Sequence, residues 1–355
     1  MKKVTHRISY SGKDIFVGID VHKKTYSVVA RADKDVIKKW TTVASPQRFT
    51  EQLLNYFEGA TIHTAYEASF SAFVLHRELA RQGIDSIVVH VPSIEVALND
   101  RVKTDKRDAH KLASLSESGR LKGIRIPSED EEHRRILTRT RGQLVADRTA
   151  VQNKLRMKFH QLGLIASNDA RKMSHTLVQQ LLAHSPSSEF TLAVEAYWTL
   201  WRSLDEQIAK LEAALKHQAE DDPNEQTYRS APGIGKISAR VLSNELGDIS
   251  QSQNERQLFS FTGLTPSEYS TGERVRRGHI TGQGNSRVRA ILVEIAWRAI
   301  KQDKALAACF ERLYPRTGKK RAIVAVARKL IGRIRAAFRQ GGIYHLGYQP
   351  QPVAA

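Results

Sequence analysis

Residues 14 to 21 read Asp14-Ile15-Phe16-Val17-Gly18-Ile19-Asp20-Val21. A short apolar run rich in β-branched residues and followed by a polar turn predicts a buried β-strand. Asp20 interrupts the run near its end, and a carboxylate at the edge of a buried strand needs a reason. Downstream, His22-Lys23-Lys24 reads as a turn, 26–31 as the returning strand of a hairpin and 36–40 as a third strand. Helical spacing follows over 46–57, opened by Ser45 as N-cap with proline at the first helical position. The run 60–67 predicts a fourth strand that ends in a second acid, Glu67. A helix over about 71–82 leads through Gly83 to a fifth strand at 86–91, and a polar connection then reaches a helix near Asp105. Three strands followed by alternating helix and strand give an α/β domain, and acids at the C-terminal ends of its strands face the crevice where such sheets bind ligands.

That last helix opens with Thr104-Asp105-Lys106-Arg107-Asp108-Ala109-His110. Residues three apart on a helix share a face, so Asp105 and Asp108 aim their carboxylates at one point. Mg²⁺ takes hard oxygen ligands of this kind. The same spacing also serves as an N-cap plus an acid favoured by the helix dipole, and the pair alone does not separate the two readings. His110 adjoins the pair, as a donor to it or as an ordinary helix residue.

Lys and Arg number 56 against 37 Asp and Glu, a formal net charge of +19 over 355 residues. The stretch from Gly272 to Arg339 holds 18 basic and 4 acidic residues, so the excess is clustered. Clustered positive charge predicts a polyanionic partner, nucleic acid first. Cys309 is the only cysteine, which excludes an intramolecular disulfide and a cysteine-based zinc site. The first residues lack an apolar signal-peptide region and no run reaches membrane-spanning length, so a cytoplasmic protein without a membrane partner is expected.

The second half reads as helical. Leu137, Leu144, Val151, Leu155 and Leu162 interleave with basic residues over 133–162. Over 192–219, Tyr197, Trp201, Leu204, Ile208, Leu211 and Leu215 alternate four and three apart, either a short coiled-coil seam or an ordinary amphipathic helix. An antiparallel hairpin of the two helices fits both readings. The acidic run at 220–223 marks a boundary. Beyond it, Ala231-Pro232-Gly233-Ile234-Gly235-Lys236 resembles a helix-hairpin-helix motif. There the backbone N–H groups of Gly233 and Gly235 would suit a phosphate, with Lys236 as the charged contact, although a plain interhelix turn has the same composition. Further basic candidates for nucleic-acid contact are Arg276, Arg277, Arg287, Arg289, Lys319, Lys320 and Arg321. A helix bearing Arg328, Lys329, Arg333 and Arg335 follows, with phosphate-backbone contact as its expected role.

Taken together, Gly18-Ile19-Asp20-Val21, Tyr66-Glu67-Ala68 and Lys103-Thr104-Asp105-Lys106-Arg107-Asp108-Ala109 resemble the four-acid pattern of RuvC-like nucleases of the ribonuclease-H fold. More narrowly, they resemble the DEDD-type insertion-sequence transposases, a family that includes Piv-type DNA invertases and bridge-RNA-guided recombinases. The stretch from Phe261 to Glu273, then Gly278 to Asn285, then Arg287-Val288-Arg289, resembles the C-terminal transposase domain of the same family. The resemblance implies a RuvC-like α/β domain over 1–130, a helical coiled-coil connector over 131–224, and a mostly helical transposase domain over 225–355. It implies that Asp20, Glu67, Asp105 and Asp108 hold Mg²⁺, two ions at about 3.5–4 Å, for phosphoryl transfer.

In that family a serine immediately before the glycine of the turn is the proposed nucleophile, forming a covalent link to DNA phosphate. Thr271 holds the matching position here, with Ser270 beside it. Ser270 is placed first because its hydroxyl is less hindered than that of a β-branched residue. A base or a metal must activate the hydroxyl, and His279 is a candidate base. The family implies further that the turn meets the acidic site of another subunit, that a structured non-coding bridge RNA selects target and donor DNA, and that the protein is a dimer or tetramer. The function expected is DNA transposition by site-specific recombination. Two rivals are a RuvC-like structure-selective nuclease such as a junction resolvase, and a nucleic-acid-binding protein whose acids have lost their role.

Overall fold

Side chains alternate along β1 (Asp14–Val21), sorting it into two faces. Ile15, Val17, Ile19 and Val21 are buried on one face, whereas Phe16, Gly18 and Asp20 lie on the other. On one side of β1, β2 (Thr25–Ala32) and β3 (Asp35–Val43) follow antiparallel, with Gly18 opposite Val29 and Asp20 opposite Ser27. On its other side, β4 (Thr61–Glu67) and then β5 (Asp85–Val89) run parallel to it. The sheet order is β3-β2-β1-β4-β5. This computed structural model describes residues 9–68, 73–90, 105–220, 222–270, 274 and 276–347. Within it the chain forms two compact units, one through Pro127 and one from Ser128.

In the first unit, α1 (Pro46–Tyr56) and α2 (Val74–Arg81) cover the apolar face. Phe49, Leu53, Leu75 and Leu79 are fully buried against Ile15, Val17, Ile19 and Tyr66. Burial of each such side chain contributes about 1.5–3 kcal/mol. The proline start of α1 after Ser45 is as predicted, although the Ser45 side chain makes no capping bond. The opposite face is covered by α3 (Asp105–Glu117), whose Leu112 packs on Ala65 and Val89. Gly18 permits this packing. A Cβ there would stand 1.9 Å from the Ala109 carbonyl oxygen and 2.5 Å from the Ala113 nitrogen, so helix backbone lies directly on strand backbone. The mixed α/β order predicted for this half is the observed one; residues 71–72 and 91, at the edges of two predicted elements, lie outside the described residues.

The second unit begins with α4 (Glu129–Gln161), opened by a capping box in which Ser128 and Glu131 exchange bonds. It pairs with α6 (Ser188–Glu220) through Arg141–Glu212 at 2.6 Å and Arg148–Asp205 at 2.8 Å. Rising numbers on one helix meet falling numbers on the other, so the two run antiparallel. The buried residues of α6, Val194, Trp201, Ile208 and Leu215, recur every seven positions. Near the tip, Leu177 and Val178 of α5 (His175–Leu182) join Phe159 and Trp201 in one apolar cluster.

The chain continues through α7 (Pro223–Ser230), α8 (Lys236–Leu246), α9 (Glu255–Thr262), β6 (Pro266–Glu268) and β7 (Arg277–Ile280). It ends in α10 (Ser286–Ala299), α11 (Lys304–Thr317) and α12 (Lys319–Arg339). Here the structure departs from the expectation for the last helix. Ile323, Val326, Leu330, Ile331 and Ile334 make α12 a core element packed on Leu292 and Ile295 of α10. Arg333 is buried, donating to Asp303 Oδ2 at 3.1 Å and Tyr344 Oη at 3.2 Å. Arg335 is buried too, donating to the carbonyls of Ser252 and Gln253. These two guanidinium groups reach polar partners inside the unit, and a helix apolar on most sides belongs in a core. Among the described residues, no helix is long and apolar enough to cross a membrane.

Candidate active site

The last registered pair of β1 and β4 is Ile19 with Tyr66, so Asp20 and Glu67 follow side by side at the C-terminal ends of neighbouring parallel strands. Such strands lie about 4.8 Å apart. Both acids stand two residues beyond Gly18 and Ala65, the registered pair on the face covered by α3. Both are half-buried. Asp108 is half-buried as well and immediately precedes Ala109, whose carbonyl lies over Gly18. The first residue of α3 is Asp105, whose side chain lies outside the described residues, as does the segment 91–104. Among the described residues no three acids or histidines gather closely enough to hold an ion. The donor set on this face is nevertheless of one chemical kind, carboxylate oxygen, which is what a hard divalent cation takes.

His22 belongs with these acids and is not singled out by sequence reading. Its Nε2 lies 3.0 Å from Asp20 Oδ2. The i, i+2 spacing at a strand end is the signal that could have found it, because it puts both side chains on one side. His110 serves another purpose. Its Nε2 lies 3.1 Å from Arg31 Nη1, and burial, then the charges of Arg31 and Lys39, push its pKa down. Arg31 Nε also donates to Glu117 Oε2 at 2.8 Å, and Glu117 Oε1 accepts from the Lys34 N–H at 2.6 Å. The far end of α3 is thereby fastened to the turn between β2 and β3.

Of the candidate hydroxyls, Ser270 lies just beyond β6, which pairs with β7. Ser270 Oγ donates to Glu268 Oε1 at 2.8 Å; Thr271 lies outside the described residues. The base of the hairpin is tied by Thr281 N–H to Thr265 O and by Asn285 N–H to Phe261 O, both at 2.8 Å. His279 accepts from Ser267 Oγ through its backbone carbonyl at 3.0 Å. Asn285 caps α10 with Oδ1 and donates from Nδ2 to Glu245 Oε2 at 2.8 Å. Glu245, 2% exposed, also receives Nε and Nη2 of Arg139, each at 2.8 Å. Burial pushes its carboxyl up, but the bonds from Arg139 and Asn285 outweigh it and leave the pKa below the ordinary value. A chain of polar contacts thus runs from α4 through α8 to the turn before α10.

At the turn between α7 and α8, Gly233 adopts φ 76° and packs against α10, where a Cβ would meet the Ile295 carbonyl oxygen at 2.8 Å. Its N–H donates to Gln302 Oε1 at 2.8 Å, so a side chain of the protein already fills one of the two expected phosphate donors. Gly235 is the N-cap of α8 with no side-chain capping bond, and Lys236 beside it is exposed. A cleft of about 510 Å³ opens here, lined by Arg229, Pro232, Gly235, Arg298 and Gln302 among others. Arg276 and Arg287 are exposed, and the Arg277 side chain lies outside the described residues. Arg289 turns inward, donating to the Thr262 carbonyl at 3.2 Å. Lys319, Lys320 and Arg321 form an exposed cluster at the start of α12.

Comparison with known proteins bears on both halves. Residues 17–163 match the family model DEDD_Tnp_IS110, described as a transposase, and residues 225–311 match that of the transposase IS116/IS110/IS902 family. The putative transposase y4qE of Sinorhizobium fredii is 31% identical over 306 residues, covering 80% of this chain and 72% of its own length. The transposase for insertion sequence element IS1111A of Coxiella burnetii is 25% identical across 96% of both chains. That for IS1533 of Leptospira borgpetersenii is 27% identical, over 92% of this chain and 96% of its own.

Proposed function

Because the chain belongs to the DEDD transposases of the IS110 type, which cut and transfer DNA strands, we propose that it moves an insertion sequence by site-specific recombination through a covalent hydroxyl–DNA intermediate. The observation that carries the reading is that Asp20 and Glu67 follow side by side at the ends of neighbouring parallel strands, two residues beyond the Gly18 and Ala65 pair on the sheet face that α3 covers. The sheet order, three antiparallel strands followed by two parallel ones, supports a RuvC-like fold for 1–130. Asp20, Glu67, Asp105 and Asp108 would hold Mg²⁺, two ions per site. When bound, the metal offsets charge on the scissile phosphate and its attacking and leaving oxygens. His22 orients the Asp20 carboxylate.

In this reading 131–224 is a coiled-coil connector and 225–355 the domain that supplies the hydroxyl, Ser270 or Thr271. The turn at Gly233 and Gly235 acts as a helix-hairpin-helix, with Lys236, Arg276, Arg277, Arg287, Lys319, Lys320 and Arg321 on DNA or RNA phosphates. Arg289 instead ties α10 to the end of α9. A structured bridge RNA guides target choice, a dimer or tetramer brings two duplexes together, and the work is done in the cytoplasm. The guide RNA and the assembly rest on the family likeness.

The test is a denaturing gel of purified protein with end-labelled DNA spanning the element's ends and Mg²⁺, with and without RNA co-purified from cells. A protease-sensitive protein–DNA adduct is expected. Cleavage without an adduct in every RNA condition would replace this reading with a nuclease that activates water.

A further inference from the structure

A hydroxyl is a poor nucleophile until something takes its proton. The hairpin of β6 and β7 offers a group for that purpose which neither the motif nor the acidic sheet supplies. Ser270 Oγ donates to Glu268 Oε1 at 2.8 Å. Glu268 ends β6 in register with Arg277, and the N–H of Tyr269 bonds to the Arg276 carbonyl at 2.8 Å, so backbone pairing fixes Glu268 and runs up to the residue before Ser270. Positions i and i+2 of an extended chain project to one side. Tyr269, between them, is 79% exposed. Both Glu268 and Ser270 are open to solvent, where a phosphate could reach the hydroxyl.

Resting on the covalent mechanism above, we propose that Ser270 is the nucleophile and Glu268 its general base. Glu268 Oε1 takes the Ser270 Oγ proton as Oγ bonds to phosphorus. The bond from phosphorus to the leaving sugar oxygen breaks, its electron pair stays on that oxygen, and the oxygen takes a proton from water. In the return step a sugar hydroxyl of the strand being joined attacks phosphorus and gives its proton to water. Oγ then leaves and recovers its proton from Glu268. Nothing is oxidised or reduced, and the carboxylate ends as it began.

The experiment measures single-turnover adduct formation on element-end DNA by wild type, Glu268→Gln and Glu268→Asp, with peptide mapping of the adduct and circular dichroism of each protein. The adduct should map to Ser270, and Glu268→Gln should slow its formation by about 10²-fold or more. DNA retention should be unchanged, and Glu268→Asp should recover part of the rate. A wild-type rate in Glu268→Gln, or an adduct on Thr271, overturns the assignment while leaving covalent catalysis standing. No adduct from wild type overturns both.

A second readout needs neither DNA nor metal. In a Cys309→Ala background, the thiol of Ser270→Cys should alkylate slowly at neutral pH, because an adjacent carboxylate disfavours the thiolate. Adding Glu268→Gln should raise that rate severalfold. Equal rates would overturn the contact on which the proposal stands.

Discussion

At the scale of single residues, Gly18 has little tolerance for a side chain. Its missing Cβ would meet backbone atoms of Ala109 and Ala113, which no side-chain rotation can move aside. Gly18→Ala should therefore lift α3 from the sheet, costing about 1–3 kcal/mol as overpacking does. A thermal melt should show the loss, and on the proposed reading strand cleavage should fall with DNA retention kept, since α3 carries Asp108 and the sheet carries Asp20 and Glu67. Asp20→Asn tests the site without disturbing the packing: cleavage should be abolished, and calorimetry should show weaker binding of divalent cation. Asp20 and Glu67 were legible as candidates only together with the 103–109 segment, since each alone reads as a turn or surface acid. Glu268 was not, since an acid in a polar turn is ordinary until its partner hydroxyl is seen.

Among the elements, the contact from α4 to the Asn285 turn is the joint to test. Arg139→Ala leaves Glu245 buried with Asn285 but without its ion pair and should destabilise the second unit by about 1–3 kcal/mol. Urea melts would show it as a lower midpoint at unchanged slope. Glu245 and the buried Asp303 both have pKa values below the ordinary carboxylate value: burial raises each, and hydrogen bonds, from Arg139 and Tyr344 respectively, override it. The unfolded chain then binds the more protons. The stability they contribute is present above the unfolded carboxylate pKa, about 4, and is lost as pH falls through the lower folded values. Glu245→Gln should flatten that acid limb in pH-dependent melts. Strands were legible from apolar β-branched runs and the long helices from apolar residues about seven apart. The joint was not, because Asn285 and Glu245 are 40 residues apart and Gly233 and Gln302 are 69 apart, distances over which spacing carries no signal. The role of α12 was hidden for the same reason: Arg333 and Arg335 read as surface until Asp303, Tyr344 and the Ser252 carbonyl are in place.

For the whole molecule, the basic excess between Gly272 and Arg339 overstates what a polyanion meets, because Arg289, Arg333 and Arg335 turn inward. The exposed cluster Lys319, Lys320 and Arg321 is the part to remove. Replacing all three by alanine should reduce the slope of log affinity against log salt by up to about 3 units, near 0.9 for each phosphate no longer neutralised. Filter binding across a salt series would measure it, and an unchanged slope would place the nucleic-acid interface elsewhere. The paired helices α4 and α6 add a matter of length. From Arg139, where α4 is joined to the Asn285 turn, to its end at Gln161, the helix advances about 33 Å at 1.5 Å per residue. One turn of duplex DNA is about 34–36 Å. The rod from the joint at Arg139 to the end of α4 thus has about the length of one duplex turn.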